Sequence, residues 1–235
     1  MKTPEEIVIA LKNSGNDTAK REEIAGTLTG EQIKSWLENS NWKIRNWAVK
    51  IIDELRLSEY TENLIAMISD RTPAKFIDRV LGGDYYQVGF IRRNATTALG
   101  NIGSPSPEVS SALIAALQDR YWEVRAKALS AIRKLYTKKA PEELMKAVVT
   151  SVKDKKFEVT AQAICTLGEL SVGEDVILHL RSSYNHPNII VKTVVVEALK
   201  KLYDRGVLSD RDKLSKELEN IFIPGRYTLL NSKKQ

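Results

Sequence analysis

Leu117–Leu135 reads LQDRYWEVRAKALSAIRKL, and Leu37–Leu55 reads LENSNWKIRNWAVKIIDEL. The same 19-residue block returns as DYYQVGFIRRNATTALGNI from Asp84, VKDKKFEVTAQAICTLGEL from Val152 and YNHPNIIVKTVVVEALKKL from Tyr184. Successive starts lie 47, 33, 35 and 32 residues apart. A period in that range signals stacked helical hairpins.

Within each block the apolar spacing decides the element type. Counting from Ile44, Ile91, Val124, Val159 or Val191, a small or branched residue follows four places on: Ala48, Ala95, Ala128, Ala163 or Val195. Ile52, Leu99, Ile132, Leu167 or Leu199 comes eight places on, and Leu55, Ile102, Leu135, Leu170 or Leu202 eleven. Apolar positions at 0, 4, 8 and 11 make one stripe of an α-helix. A second apolar segment precedes each block's helix: Glu31–Leu37, Glu59–Ile68, Glu108–Leu117, Glu142–Val152 and Glu174–Leu180. Two helices per unit cannot bury such stripes alone, so neighbouring units must stack.

Punctuation agrees with that division. Ser106-Pro107 and Ala140-Pro141 set proline at the first helical position, where its missing N–H costs nothing. Thr3-Pro4-Glu5-Glu6 has the form of a capping box, and Gly103, Gly173 and Gly206 fall between units. The turns are patterned too. Trp42, Trp122 and Phe157 stand two places before the aliphatic start, Asp119 and Asp154 five before it, and Arg45, Arg92, Arg125 and Lys192 directly after it. Block two lacks the aromatic, and block four carries Thr160 in place of the basic residue. This basic ladder is expected to pair with Asp119, Asp154 and neighbouring turns and so lock repeats together.

The strings DRYWEVRAKA and NSNWKIRNWA closely resemble the HEAT repeat in its phycobilin-lyase-like variety, over roughly Thr29 to Tyr203. The resemblance implies an all-α fold: a right-handed α-α superhelix, a HEAT-like solenoid of about six helical hairpins. It is nearly silent about function, since such repeats serve scaffolds, transport factors, lyases and nucleic-acid binders.

The expected organisation is one solenoid domain over 1–235. Residues 1–28 form an N-terminal cap hairpin, 29–203 five repeats with an insert at 71–90, and 204–235 a C-terminal cap helix and tail. The insert is expected to hold a short helix (Pro73 to Leu81), a Gly82-Gly83 turn and an aromatic loop reaching Phe90. Ser209 to Asn220 reads as one more helix, and IFIPGRYTLL after it as a tail covering the last hairpin.

Composition bounds the function. A 43% apolar and 28% charged chain is ordinary for a helical protein. No apolar run approaches the ~18–20 residues of a membrane span. The opening MKTPEEIVIALKNSG lacks the pattern of a secretory signal, and a single cysteine suits a reducing compartment, so a cytoplasmic location is expected. Net charge is +6, which permits an anionic partner without demanding one.

Chemistry is not visible. The two histidines, His179 and His186, are not followed by glutamate, and with Cys165 they are too few for a zinc site. LGGD at Leu81 to Asp84 lacks the lysine and Ser/Thr of a phosphate loop. Cys165 matches Lys50, Thr97, Ser130 and Glu197 in register, a polar position where a partly exposed and unreactive thiol is expected. No catalytic, metal or cofactor residues are assigned, and the chain is expected not to be an enzyme.

The expected function is a protein–protein interaction scaffold or adaptor. Its partner would lie on the concave face made by the second helices and on the rim insert. Trp47, Lys50, Arg93, Lys127, Arg133, Lys134 and Lys201 are the candidate contacts on the helices, and Lys75, Arg79, Tyr85 and Tyr86 those on the insert. Trp47 is the expected aromatic anchor. The alternative is a DNA- or RNA-binding module using the basic residues. The mixed charge of the stripe argues against it, because a nucleic-acid groove is basic along its whole length. An enzyme such as a glycosylase or bilin lyase ranks third. The partner is not identified, and the oligomeric state is left open.

Overall fold

The computed structural model describes residues 2–71, 84–137, 140–170 and 173–207. All regular structure among them is helical. The chain divides into two compact units, Met1–Leu135 and Tyr136–Gln235.

The first unit holds α1 (Pro4–Ser14), α2 (Thr18–Gly26), α3 (Gly30–Leu37), α4 (Trp42–Leu55), α5 (Thr61–Ile68), α6 (Asp84–Ile102), α7 (Pro107–Leu117) and α8 (Trp122–Leu135). A 3-10 turn, Ser58–Tyr60, leads into α5. The hairpins are α3 with α4, α5 with α6, and α7 with α8. Second helices stack on second helices, α4 on α6 and α6 on α8. The register stripe explains why: Ala48, Ile52, Ile91, Ala95, Leu99, Val124, Ala128 and Ile132 are all fully buried. In the second unit α9 (Glu142–Ser151) pairs with α10 (Phe157–Glu169), and α11 (Glu174–Ser182) with α12 (Ile189–Asp204). Here too the second helices, α10 and α12, stack directly, and Val159, Ala163, Leu167, Val191, Val195 and Leu199 are fully buried.

The N-terminal hairpin forms, but its roles are reversed from the other repeats. The first helix, α1, packs against α4 and so takes the place of a second helix. Ile7, Val8 and Leu11 supply the stripe and meet Ile51, with Trp36 and Trp47 against the same cluster. The polar α2, which buries no residue, serves as the connector. The capping box is formed: Thr3 Oγ1 accepts from the Glu6 N–H at 3.3 Å, and the Thr3 N–H donates to Glu6 Oε2 at 2.8 Å. Ser106 caps α7 ahead of Pro107 as expected, whereas Pro141 is itself the N-cap of α9, so that helix starts one residue later than expected.

The aromatic loop expected before Phe90 is not a loop. Residues 84–90 are the first turns of the 19-residue helix α6. Gly89 sits so near Tyr121 that a β-carbon there would be 2.6 Å from its Cδ1, and Phe90 meets the Tyr121 ring edge-on at 6.3 Å. Packing on α8's turn therefore favours the extra helical turns. The short helix and Gly82-Gly83 turn lie outside the described residues, as do the helix Ser209 to Asn220 and the tail.

The turns carry a repeated polar device. In four hairpins the residue after the aliphatic start donates to the carbonyl of the turn residue. Arg45 Nη1 reaches Asn39 O at 2.6 Å, Arg92 Nη1 reaches Asp70 O at 3.2 Å, Arg125 Nη1 reaches Asp119 O at 2.7 Å, and Thr160 Oγ1 reaches Asp154 O at 3.2 Å. Thr160 thus does locally what the arginines do. The turn side chain in turn accepts an N–H two residues on: Asn39 from Asn41, Asp119 from Tyr121, Asp154 from Lys156, and His186 from Asn188.

Two arginines also reach the following hairpin. Arg45 Nε donates to Asp70 Oδ2 at 3.0 Å, and Arg92 Nε and Nη2 grip Asp119 at 2.7 and 3.0 Å. These side chains are at most 5% exposed. Arg71, the first residue of the insert, adds a 3.3 Å bond to Asp119. The expected lock between repeats is therefore present in the first unit, with Asp70 as a member that the sequence pattern did not single out.

Candidate functional site

With the apolar stripe consumed by packing, the polar positions of α1, α4, α6 and α8 share the opposite side of the first unit. Trp47 is half-buried, its inner edge on the Ile7, Val8, Leu11 and Ile51 cluster. Lys50, one turn on, holds its ammonium 4.0 Å over the Trp47 ring. Burial pushes the Lys50 ammonium below its ordinary pKa, and the nearby charges of Lys12 and Arg93 push it the same way, against Glu5.

On α6 the Arg93 guanidinium lies 4.9 Å over the Phe90 ring and is bonded to Glu123 of α8. Burial alone would raise the Glu123 carboxyl. Hydrogen bonds with Tyr121 and Arg93, together with the charges of Arg93 and Lys127, bring it below the ordinary carboxylate value. Lys127 is exposed beside it. Lys12, Lys50, Arg93 and Lys127 thus come from four helices packed in sequence.

Further along the same helices, side chains cross-link the stack. Asn94 Nδ2 donates to Asn46 Oδ1 at 2.7 Å, and Asn101 Nδ2 to Asp53 Oδ1 at 2.7 Å. Lys134 is bonded to Asn101 Oδ1. In the second unit Lys201 pairs with Glu169. Lys134 and Lys201 are therefore exposed cations already engaged with the next helix. Arg133 is half-buried on α8.

At the C-terminal ends of α1, α4 and α6 an open cleft of about 750 Å3 is bordered by Lys12, Arg21, Asp53, Glu54, Arg56 and Asn101. Arg21 closes much of its chemistry, donating to Leu11 O at 3.2 Å, Gly15 O at 3.3 Å and to Glu54. Those carbonyls are the orphans that every helix C-terminus leaves. The cleft holds structural caps rather than a converging reactive set. Among the described residues no group of His, Cys, Asp and Glu side chains could hold a metal ion. Cys165 is half-buried. No helix of the described residues is long and apolar enough to cross a membrane.

The structure brings together Trp47, Lys50, Arg93 and Lys127 of the expected contacts. Tyr85 and Tyr86 lie on the backbone of α6, and Lys75 and Arg79 fall outside the described residues. Sequence reasoning missed Lys12 and Phe90. Lys12 was legible, because Ile7, Val8 and Leu11 already mark α1 as a packed helix with Lys12 beside its stripe.

A family model described as HEAT repeats matches residues 90–155 and 110–200. The chain carries a HEAT/armadillo-type repeat fold. Among solved structures this repeat protein is similar to the complex of CpcE and CpcF of phycocyanin lyase from Nostoc sp. PCC7120. Identity there is 21%, over 77% of this chain and 67% of that one, with a TM-score of 0.56. It is also similar to an engineered protein at 14% identity, over 87% of this chain and 100% of that one, with a TM-score of 0.53. At such identities the likeness is one of fold. No curated protein matches the chain.

Proposed function

We propose that this repeat protein is a non-enzymatic scaffold that holds another protein on the side displayed by its second helices. The carrying observation is the cation–aromatic row on α4 and α6. Trp47 and Phe90 are half-buried, with Lys50 and Arg93 above them, on helices whose other side is spent on packing. Aromatic residues and arginine are enriched at protein interfaces, and Trp47, Phe90 and Arg93 are of those types. The row is spread across several helices and does not converge on an enclosed pocket, which favours a broad partner over a small substrate.

The sequence pattern supports five further features of this scaffold. They are a single repeat array over 1–235, the phycobilin-lyase-like variety of the repeat, a concave partner face, a contribution from Lys75, Arg79, Tyr85 and Tyr86, and a cytoplasmic location.

Cross-linking the native chain in lysate tests the proposal. Thr97→Tyr with Ser130→Tyr would place uncharged bulk on the second-helix face without changing its cations. A partner that cross-links to the native chain and is lost from that double variant supports the scaffold. A partner unaffected by the double variant, or none, rejects it.

A further inference from the structure

The row described above is electrostatically incomplete. Lys12 on α1, Lys50 on α4, Arg93 on α6 and Lys127 on α8 follow one another across four packed helices. They are near enough to act on shared groups. Lys12 and Arg93 both bear on Lys50, and Arg93 and Lys127 both bear on Glu123. Glu54 is paired with Arg21 and Glu123 with Arg93, Asp53 is hydrogen-bonded by the neutral Asn101 amide, and Glu5 bears on Lys50 without bonding it. Among the described residues no carboxylate bonds Lys12, Lys50 or Lys127. Glu123 and Glu5 are the nearby counter-charges, fewer than the four cations. Like charges left in excess repel one another, and an anion laid over them relieves that repulsion.

We infer that this row receives an acidic segment of a partner protein, its carboxylates on Lys50, Arg93 and Lys127 and its apolar side chains on Trp47 and Phe90. The inference rests on the scaffold reading and names the chemistry of its partner. Complementary charge identifies that partner, and the arrangement favours a peptide over a nucleic acid. Glu123 interrupts the row, and Asp53 and Glu54 lie beyond Lys12 at the cleft. A phosphodiester chain, charged at every residue, would meet those acids, whereas a peptide places its carboxylates selectively.

Glu123 has a particular part in this. It holds Arg93 as a partner carboxylate would, so it competes for that guanidinium. Removing its charge opens Arg93 to the incoming acid.

The test uses the full chain and a short fluorescein-labelled peptide of Glu, Ser and Leu. Its Gln-for-Glu counterpart and a single-stranded DNA oligonucleotide of equal charge serve as comparison probes. The acidic peptide is expected to bind, to weaken with added salt, and to outbind the Gln peptide. Lys50→Glu and Lys127→Glu should each weaken it about tenfold, and the milder Lys50→Gln and Lys127→Gln less, with helical content unchanged. Glu123→Gln should tighten binding several-fold.

Equal binding of the Gln peptide overturns the inference, as does weaker binding to Glu123→Gln. Tighter binding of the oligonucleotide, lost in the same lysine variants, replaces the acidic peptide with a nucleic acid. If the peptide fails while the lysate partner still depends on Thr97 and Ser130, the acidic-segment inference falls alone. If both fail, the scaffold reading falls with it.

Discussion

Gly100 of α6 lies against Ala131 of α8 so closely that a β-carbon built on it would stand 2.6 Å from the Ala131 Cα. Gly168 of α10 has the same relation to Ala198 of α12, at 2.7 Å. Each glycine sits nine places after its aliphatic start, and each alanine seven places after the next one. The two units therefore use one close-packing device twice.

Gly100→Ala and Gly168→Ala set two effects in opposition. Alanine is the better helix former by about 1 kcal/mol. The new methyl, however, meets backbone that cannot swing aside, and overpacking of this kind costs about 1–3 kcal/mol. The clash is expected to win, lowering the melting temperature of both variants. Gly26, at the end of α2, has nothing within 4 Å of such a β-carbon. Gly26→Ala should leave stability unchanged or raise it by a few tenths of a kcal/mol. Thermal melts of the three variants check the contrast.

The Arg92–Asp119 pair is buried and two-pronged, and Asp119 also caps the Tyr121 N–H. Breaking one side removes the main counter-charge of a buried group, leaving Asp119 only the half-exposed Arg71, at a cost approaching about 3–5 kcal/mol. Arg92→Met and Asp119→Asn should each destabilise strongly. The double variant should cost much less than the two single effects added together. Additive losses in a denaturant cycle would show that the two side chains act independently.

Acid should loosen α6 from α8. The Glu123 carboxyl is bound by Arg93 and lies below its ordinary value of 4.5 when folded. Its contribution is therefore fully present above the unfolded value and is lost as pH falls through the lower folded value. The group is partly exposed, so the effect is a few tenths to about 1 kcal/mol. Denaturant midpoints at pH 7 and in the acid range should converge for the native chain and Glu123→Gln as the pH falls.

Arg205 closes the C-terminus of α10 by donating to Gly168 O, Glu169 O and Leu170 O at 3.3, 2.6 and 3.2 Å. Arg21 does the same for α1 and α4. Arg21 uses both Nη1 and Nη2, a fork that lysine cannot reproduce, and Arg205 places Nη1 at the end of a rigid guanidinium that the flexible lysine stem does not match. Arg205→Lys should speed amide exchange in the last turn of α10 and in α12 while leaving α9 protected. Arg21→Lys should act likewise on α1 and α4, each losing about 1 kcal/mol.

Much of the fold was legible because its physics is periodic. The apolar spacing of Val124, Ala128, Ile132 and Leu135 repeats wherever a second helix is found. Local signals such as Thr3 with Glu6 and Ser106 with Pro107 mark helix starts without help from elsewhere. The candidate site was legible only in part. Register placed Trp47, Lys50 and Lys127 on one side, but it could not say which cations were already engaged. Lys134 reads like Lys50 in sequence, yet it is bonded to Asn101 from another helix.

Sequence alone determined the helical period, the hairpin division and the polar side of each second helix, since these depend on neighbours three and four residues away. Tertiary structure decided the reversed role of α1, the helical turns of 84–90, Asp70 as partner to Arg45, and the glycine–alanine approaches. Each of those is set by a residue about 20 to 50 places distant, where a bond or a clash outweighs local preference.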